Sequence, residues 1–253
     1  AMAEPYATMG AVLYNEGKFA ESEEQFQKAI RLNPNYAWAH HWRSHLLITR
    51  GRPEASLESF ERALALDPLS VISLVIYSTH LYEMRRYAEA LEMVERALVL
   101  RPKGFVPLHS QRALCLSALG RHEEAVAEAA HVTADPASNP RWWSDAYVIY
   151  VLRRAGRQAE AERHAGRIMP TLSPQNNLRG FALAALDRHA EALPYLEHTI
   201  SSGIARFFYQ PLWDGVRADP RLPAVLAKLN ITEEYALARQ LLERLPRASA
   251  ANK

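Results

Sequence analysis

A single cysteine, Cys115, stands in 253 residues, which excludes an internal disulfide framework. Flanked by Leu114 and Leu116, it reads as a small buried residue. No run approaches the ~18 consecutive apolar residues that cross a bilayer, and no signal-peptide pattern opens the chain, so this segment is not expected to insert into a membrane. Only 10 glycines occur, mostly at single turn positions, which leaves no phosphate-cradling loop. A nucleophile elbow and a paired metal-ligand motif are absent as well. Neither sign of charge dominates: 30 basic and 28 acidic residues give a net charge of +2. Arg153-Arg154 and Arg163-His164 are isolated basic pairs, and no stripe suited to nucleic acid forms. Alternating apolar runs are missing too, while apolar residues recur three and four apart, so the segments are helices.

What is present is a ruler. Pro34, Pro68, Pro102, Pro136 and Pro170 are 34 residues apart, which is the mark of a repeat protein. Each of the first three units has one internal plan. Gly17, Phe19, Ser22, Phe26, Ala29 and Pro34 are matched by Gly51, Ser56, Phe60, Ala63 and Pro68, then by Arg85, Tyr87, Ala90, Val94, Ala97 and Pro102. The steps Asn33-Pro34, Asp67-Pro68 and Arg101-Pro102 stop one helix before the next begins. The turn residues Gly17, Gly51, Arg85, Gly120, Gly156 and Asp187 are 34, 34, 35, 36 and 31 apart, giving six hairpins. That spacing puts Pro170 inside the fifth unit's second helix, where its agreement with the ruler would be coincidence.

Over residues 3 to about 200 this pattern resembles the tetratricopeptide repeat, a helix-turn-helix unit ending in proline. The family's small first-helix residue falls on Gly10, Ser44, Ser78, Ala113 and Gly180. Its second-helix alanine falls on Ala90, Ala125, Ala161 and Ala192, with Ser22 and Ser56 in the earlier units. The resemblance implies an all-α, right-handed superhelical solenoid of about six hairpins, in which each repeat buries its apolar stripe only against its neighbours. It also implies a non-enzymatic scaffold that binds a protein or peptide on its concave face. Glu21, Glu23, Glu24, Glu123 and Glu124 lie on second helices, which makes them solvated convex faces rather than paired catalytic carboxylates.

In the family the concave wall is lined by first helices. Here the first unit supplies Glu4, Ala7, Thr8, Ala11 and Asn15, and the second supplies Trp38, His41, Trp42, His45 and Thr49. Ile72, Val75, Ile76 and Thr79 follow, then Ser110, Gln111 and Leu114, then Trp143, Tyr147, Tyr150 and Arg154. Chaperone-binding members grip a C-terminal carboxylate with Lys, Asn and Arg at such places; these residues do not form that clamp. Large rings with aliphatic neighbours suit a peptide with apolar anchors, although the same stripe would serve as packing between hairpins. His41 and His45, four apart on one helix, have the spacing of a shared metal, but a third ligand is missing and no metal or cofactor is expected.

After the sixth hairpin the pattern changes. Phe207-Phe208-Tyr209, Pro211-Leu212-Trp213-Asp214, Arg217 and Asp219-Pro220-Arg221-Leu222 lead into a helix reaching Leu229, a candidate cap for the array. The segment resembles the ending of bacterial tetratricopeptide modules that accompany winged-helix or nucleotide cyclase domains. That implies the interaction or sensing module of a larger bacterial regulatory protein. A last helix runs from about Thr232 to Leu245 and stops at Pro246, with an apolar face of Tyr235, Leu237, Ala238, Leu241 and Leu242. This face would pack on the cap, fill the groove, or meet a second copy in a homo-oligomer. A small-molecule or metal sensor is the remaining alternative. The expected divisions are a cloning remnant at 1–2, solenoid over 3–202, cap and terminal helix over 203–246, and a disordered tail over 247–253. Compartment stays open between cytoplasm and periplasm.

Overall fold

The structure is a computed structural model that describes residues 2–103, 105–134, 144–174, 176–196, 209–228 and 232–244. Among them are fifteen α-helices, the first twelve paired as six hairpins. These are α1 (Glu4–Asn15) with α2 (Phe19–Leu32), α3 (Ala37–Thr49) with α4 (Pro53–Leu66), and α5 (Val71–Glu83) with α6 (Tyr87–Leu100). The second half has α7 (Val106–Ala118) with α8 (His122–Ala134), α9 (Ser144–Arg154) with α10 (Gln158–Ile168), and α11 (Asn177–Ala185) with the short α12 (His189–Ala192). Beyond them lie α13 (Asp214–Arg217), α14 (Leu222–Lys228) and α15 (Thr232–Arg244).

The six expected turn residues all adopt the left-handed conformation, with φ between +62° and +78°. A first helix ends there because the amide after the turn residue reaches back to close it. Lys18, Arg52, Arg86, Arg121, Arg157 and Arg188 donate their backbone N–H to the carbonyls of Leu13, Leu47, Leu81, Leu116, Leu152 and Leu183, each at 2.9 Å. That is the six-to-one bond of a glycine-type helix stop. Arg86, Arg121, Arg157 and Arg188 then pair with a glutamate three residues on, in the first turn of the second helix. At the other end, Asn33, Asp67 and Arg101 are held at φ −143°, −137° and −137°. The following proline disfavours the helical region for the residue before it.

The small residues mark where the two helices of a hairpin cross. Ser22, Ser56, Ala90, Ala125, Ala161 and Ala192 are all fully buried. In the first three hairpins a serine hydroxyl crosses the contact: Ser22 donates to the Gly10 carbonyl at 2.8 Å, Ser56 to Ser44 at 2.8 Å and Ser78 to Ala90 at 2.7 Å. A Cβ at Gly10 would stand 2.6 Å from the Phe26 ring, so the close approach needs glycine. Pro170 differs from expectation. It lies in a 3-10 turn, Met169–Thr171, that carries on directly from α10, and Met169 before it keeps helical angles (φ −56°, ψ −41°), unlike Asn33, Asp67 and Arg101 before the earlier prolines. The fifth turn residue comes late, which shortens α10 rather than displacing its stop. Pro136 lies outside the described residues.

First helices pack on first helices, α1 on α3, α5 on α7, α7 on α9 and α9 on α11, and form the inner layer. Second helices sit outside, between neighbouring first helices, which gives the stack its curvature. No described helix is long and apolar enough to cross a membrane.

Candidate functional site

Burial along the inner row changes from one end to the other. In the first three hairpins Glu4, Thr8, Asn15, Trp38 and Ile72 are exposed, while Ala11, Trp42, His45 and Ile76 are half-buried. His41, Thr49, Val75 and Thr79 are buried beneath them. In the fourth and fifth hairpins Ser110, Gln111, Leu114 and Tyr150 are buried, and Tyr147 and Arg154 half-buried. Trp143 lies outside the described residues.

The open end is aromatic. Trp38 stacks on His41 at 4.9 Å between ring centroids and meets Trp42 almost at right angles, 5.8 Å away. Tyr14 closes on Trp42 from α1 at 6.0 Å, with its hydroxyl 3.0 Å from that of Thr49. The histidines below make contacts within the array. His41 Nδ1 lies 2.9 Å from the Ser73 hydroxyl, bridging α3 to α5. Ser56 donates to the Ser44 carbonyl, so its oxygen accepts from His80 Nδ1 at 3.0 Å. His45 fits between, its ring 5.1 Å from His41 and 5.6 Å from His80.

Burial holds the His41 pKa down to about 4 from an ordinary 6.5. Between those values the unfolded chain carries a proton on this ring and the folded chain does not. Stability therefore falls as pH drops through that window, by up to about 3 kcal/mol for this ring. Urea midpoints measured from pH 7 to pH 4.5 should fall less steeply for His41→Gln than for the parent.

The covered end is closed by the chain's own later segment. The Arg85 side chain is 7 % exposed; it donates to the Glu83 carbonyl at 3.1 Å, to the Tyr209 carbonyl at 2.6 Å and to the Asp214 carboxylate at 2.8 Å. Gln210 donates to Glu83 at 3.3 Å and lies 3.1 Å from the Tyr147 hydroxyl, spanning the inner row from α5 to α9. Arg217 donates to the Gln210 carbonyl at 3.2 Å and pairs with Asp214. Burial lowers the Arg217 pKa to about 9. Tyr209, Trp213 and Val216 are fully buried, and Trp213 meets Phe181 of α11 edge-on at 4.8 Å. Tyr235 and Leu242 of α15 pack on the same core. Sequence reasoning did not find Glu83, Arg85 or Gln210 as a seat for this segment. One signal was available, since Arg85 occupies a left-handed turn that four other units fill with glycine.

Family models of the tetratricopeptide repeat match residues 3–36, 25–58, 43–105 and 78–139, more than half of the chain. A thermophilic TPR protein of Thermus thermophilus is similar at 20% identity and TM-score 0.60, over 73% of this chain and 98% of that one. The Pseudomonas aeruginosa protein PilF gives 17% identity and TM-score 0.60, over 94% of this chain and 96% of its own. YrrB, described as a TPR protein with an unusual peptide-binding site, gives 18% identity and TM-score 0.52, over 76% of this chain and 90% of its own. No curated protein sequence matches. With its ruler of prolines, its left-handed hairpin turns and its inner layer of first helices, the chain belongs to the tetratricopeptide repeat family of protein-interaction scaffolds.

Proposed function

We propose that this protein is a non-enzymatic scaffold that binds a peptide or protein segment in the N-terminal half of its groove, on α1, α3 and the start of α5. One observation carries the reading: the inner row is exposed at Trp38 and Ile72, whereas the row from Glu83 to Tyr147 is occupied by the cap. Rigid rings beside aliphatic side chains supply contact area at low entropic cost, as interface anchors do. The solenoid over 3–202 and the cap over 203–246 divide this work into a binding array and an end-piece that protects its last apolar face. The cap's likeness to bacterial regulatory modules supports a place within such a protein. Pull-down with the parent chain and with Trp38→Ala/Ile72→Ala tests the reading; partners retained equally by both would remove it.

The alternative in which the C-terminal helix or a second copy fills the groove is a separate reading, since the Arg85 contacts are made by the cap residues Tyr209 and Asp214 and not by that helix. Those contacts supply cover for one half only. For the exposed half, a second copy as occupant predicts a mass that rises with concentration in light scattering and stops rising in the same double variant.

A further inference from the structure

The exposed corner has a charge character of its own. Trp38 is 41% exposed although its ring already stacks on His41, and Trp42 stands at 82° to it. Trp38 therefore presents exposed ring surface, with the half-buried Trp42 ring beside it. The imidazole stacked on Trp38 is buried and bonded to Ser73, and so brings no positive charge at neutral pH. Arg43 and Arg62 act on His40. Along the inner row of the first three hairpins, from Glu4 to Thr79, there is no lysine or arginine, and the one carboxylate is Glu4. That carboxylate is exposed and acts on Tyr36, two residues before Trp38. Elsewhere the molecule places its own cations over rings: Lys28 over Tyr6, Arg101 over Phe105, and Arg153 and Arg154 over Tyr150. None of the described cations lies over Trp38 or Trp42.

We propose that the Trp38–Trp42 corner receives a cationic side chain, arginine foremost, from the bound segment, with the Glu4 carboxylate as its counter-charge. The proposal rests on the groove reading above and names the partner as basic with aliphatic neighbours. A guanidinium fits because it is planar, weakly hydrated and permanently charged, and it stacks on indole faces while its edge donates hydrogen bonds to a carboxylate. Ile72 and Ile76, one hairpin on, give the aliphatic neighbours a place.

The test uses the full chain and two blocked heptapeptides, Ala-Leu-Ala-Arg-Ala-Leu-Ala and its citrulline counterpart, which keeps the shape of arginine without the charge. Calorimetric titration should show the arginine peptide binding about fivefold more tightly. The preference should vanish in Trp38→Leu and shrink in Glu4→Gln, while the thermal midpoint of both variants stays near that of the parent. Equal affinity for the two peptides overturns the cation preference and leaves the groove reading standing. Binding of neither peptide, with pull-down unaffected by Trp38→Ala/Ile72→Ala, removes both.

Discussion

Trp213→Ala should lower the stability of the chain by about 3 to 5 kcal/mol, the usual cost of emptying a fully buried indole site. Its ring is completely buried and rests on Phe181, and it lies between the two residues that tie the segment to Arg85, Tyr209 and Asp214. The effect should also be uneven along the array. Each hairpin is held mainly by its neighbours, so loosening the cap exposes α9 and α11 first and separates an early, C-terminal transition from the main one. Urea unfolding followed by circular dichroism measures both features. A single transition displaced by less than about 1 kcal/mol would mean that residues 209–217 do not close the groove.

Trp38→Ala/Ile72→Ala should abolish partner capture, a loss of more than about tenfold, with a stability change below about 1 kcal/mol. The two side chains are 41% and 45% exposed, so truncating them creates surface rather than a cavity. Trp42→Ala/Ile76→Ala is the instructive contrast. Both side chains are half-buried, and each truncation should cost about 1 to 3 kcal/mol, a fraction of the loss at a core residue. Loss of capture in the second pair would therefore combine a missing contact with a loosened scaffold, whereas loss in the first at unchanged stability reports a missing contact alone. Retained affinity in Trp38→Ala/Ile72→Ala would return these residues to the role of packing between hairpins.

The repeat was legible because what makes it is local. Proline before a helix start, a left-handed residue between two helices and a small residue at their crossing each act within one unit or on the next. Gly10 can be read as a contact point from its place in the period, and the Phe26 ring above it bears that out. Pro170 shows the limit of counting, since a late turn shortened α10 and left the proline in a 3-10 turn that continues the helix. The inner row was legible as a list of positions, but not as a surface. Val75, Thr79, Gln111 and Tyr150 lie on first helices, as Trp38 and Ile72 do, yet are buried. Gln111 accepts from the Thr79 hydroxyl at 3.2 Å and so joins α5 to α7.

The sequence by itself determined the helices, their pairing, the turn conformations and the family, because each follows from periodicity and neighbour contacts within about 34 residues. Only the tertiary structure decided which half of the groove is open. That depended on Arg85 meeting Tyr209 and Asp214 across 124 and 129 residues of chain, and on Gln210 meeting Glu83 across 127. Such contacts have no period to betray them, since they depend on how far the superhelix turns before the chain comes back.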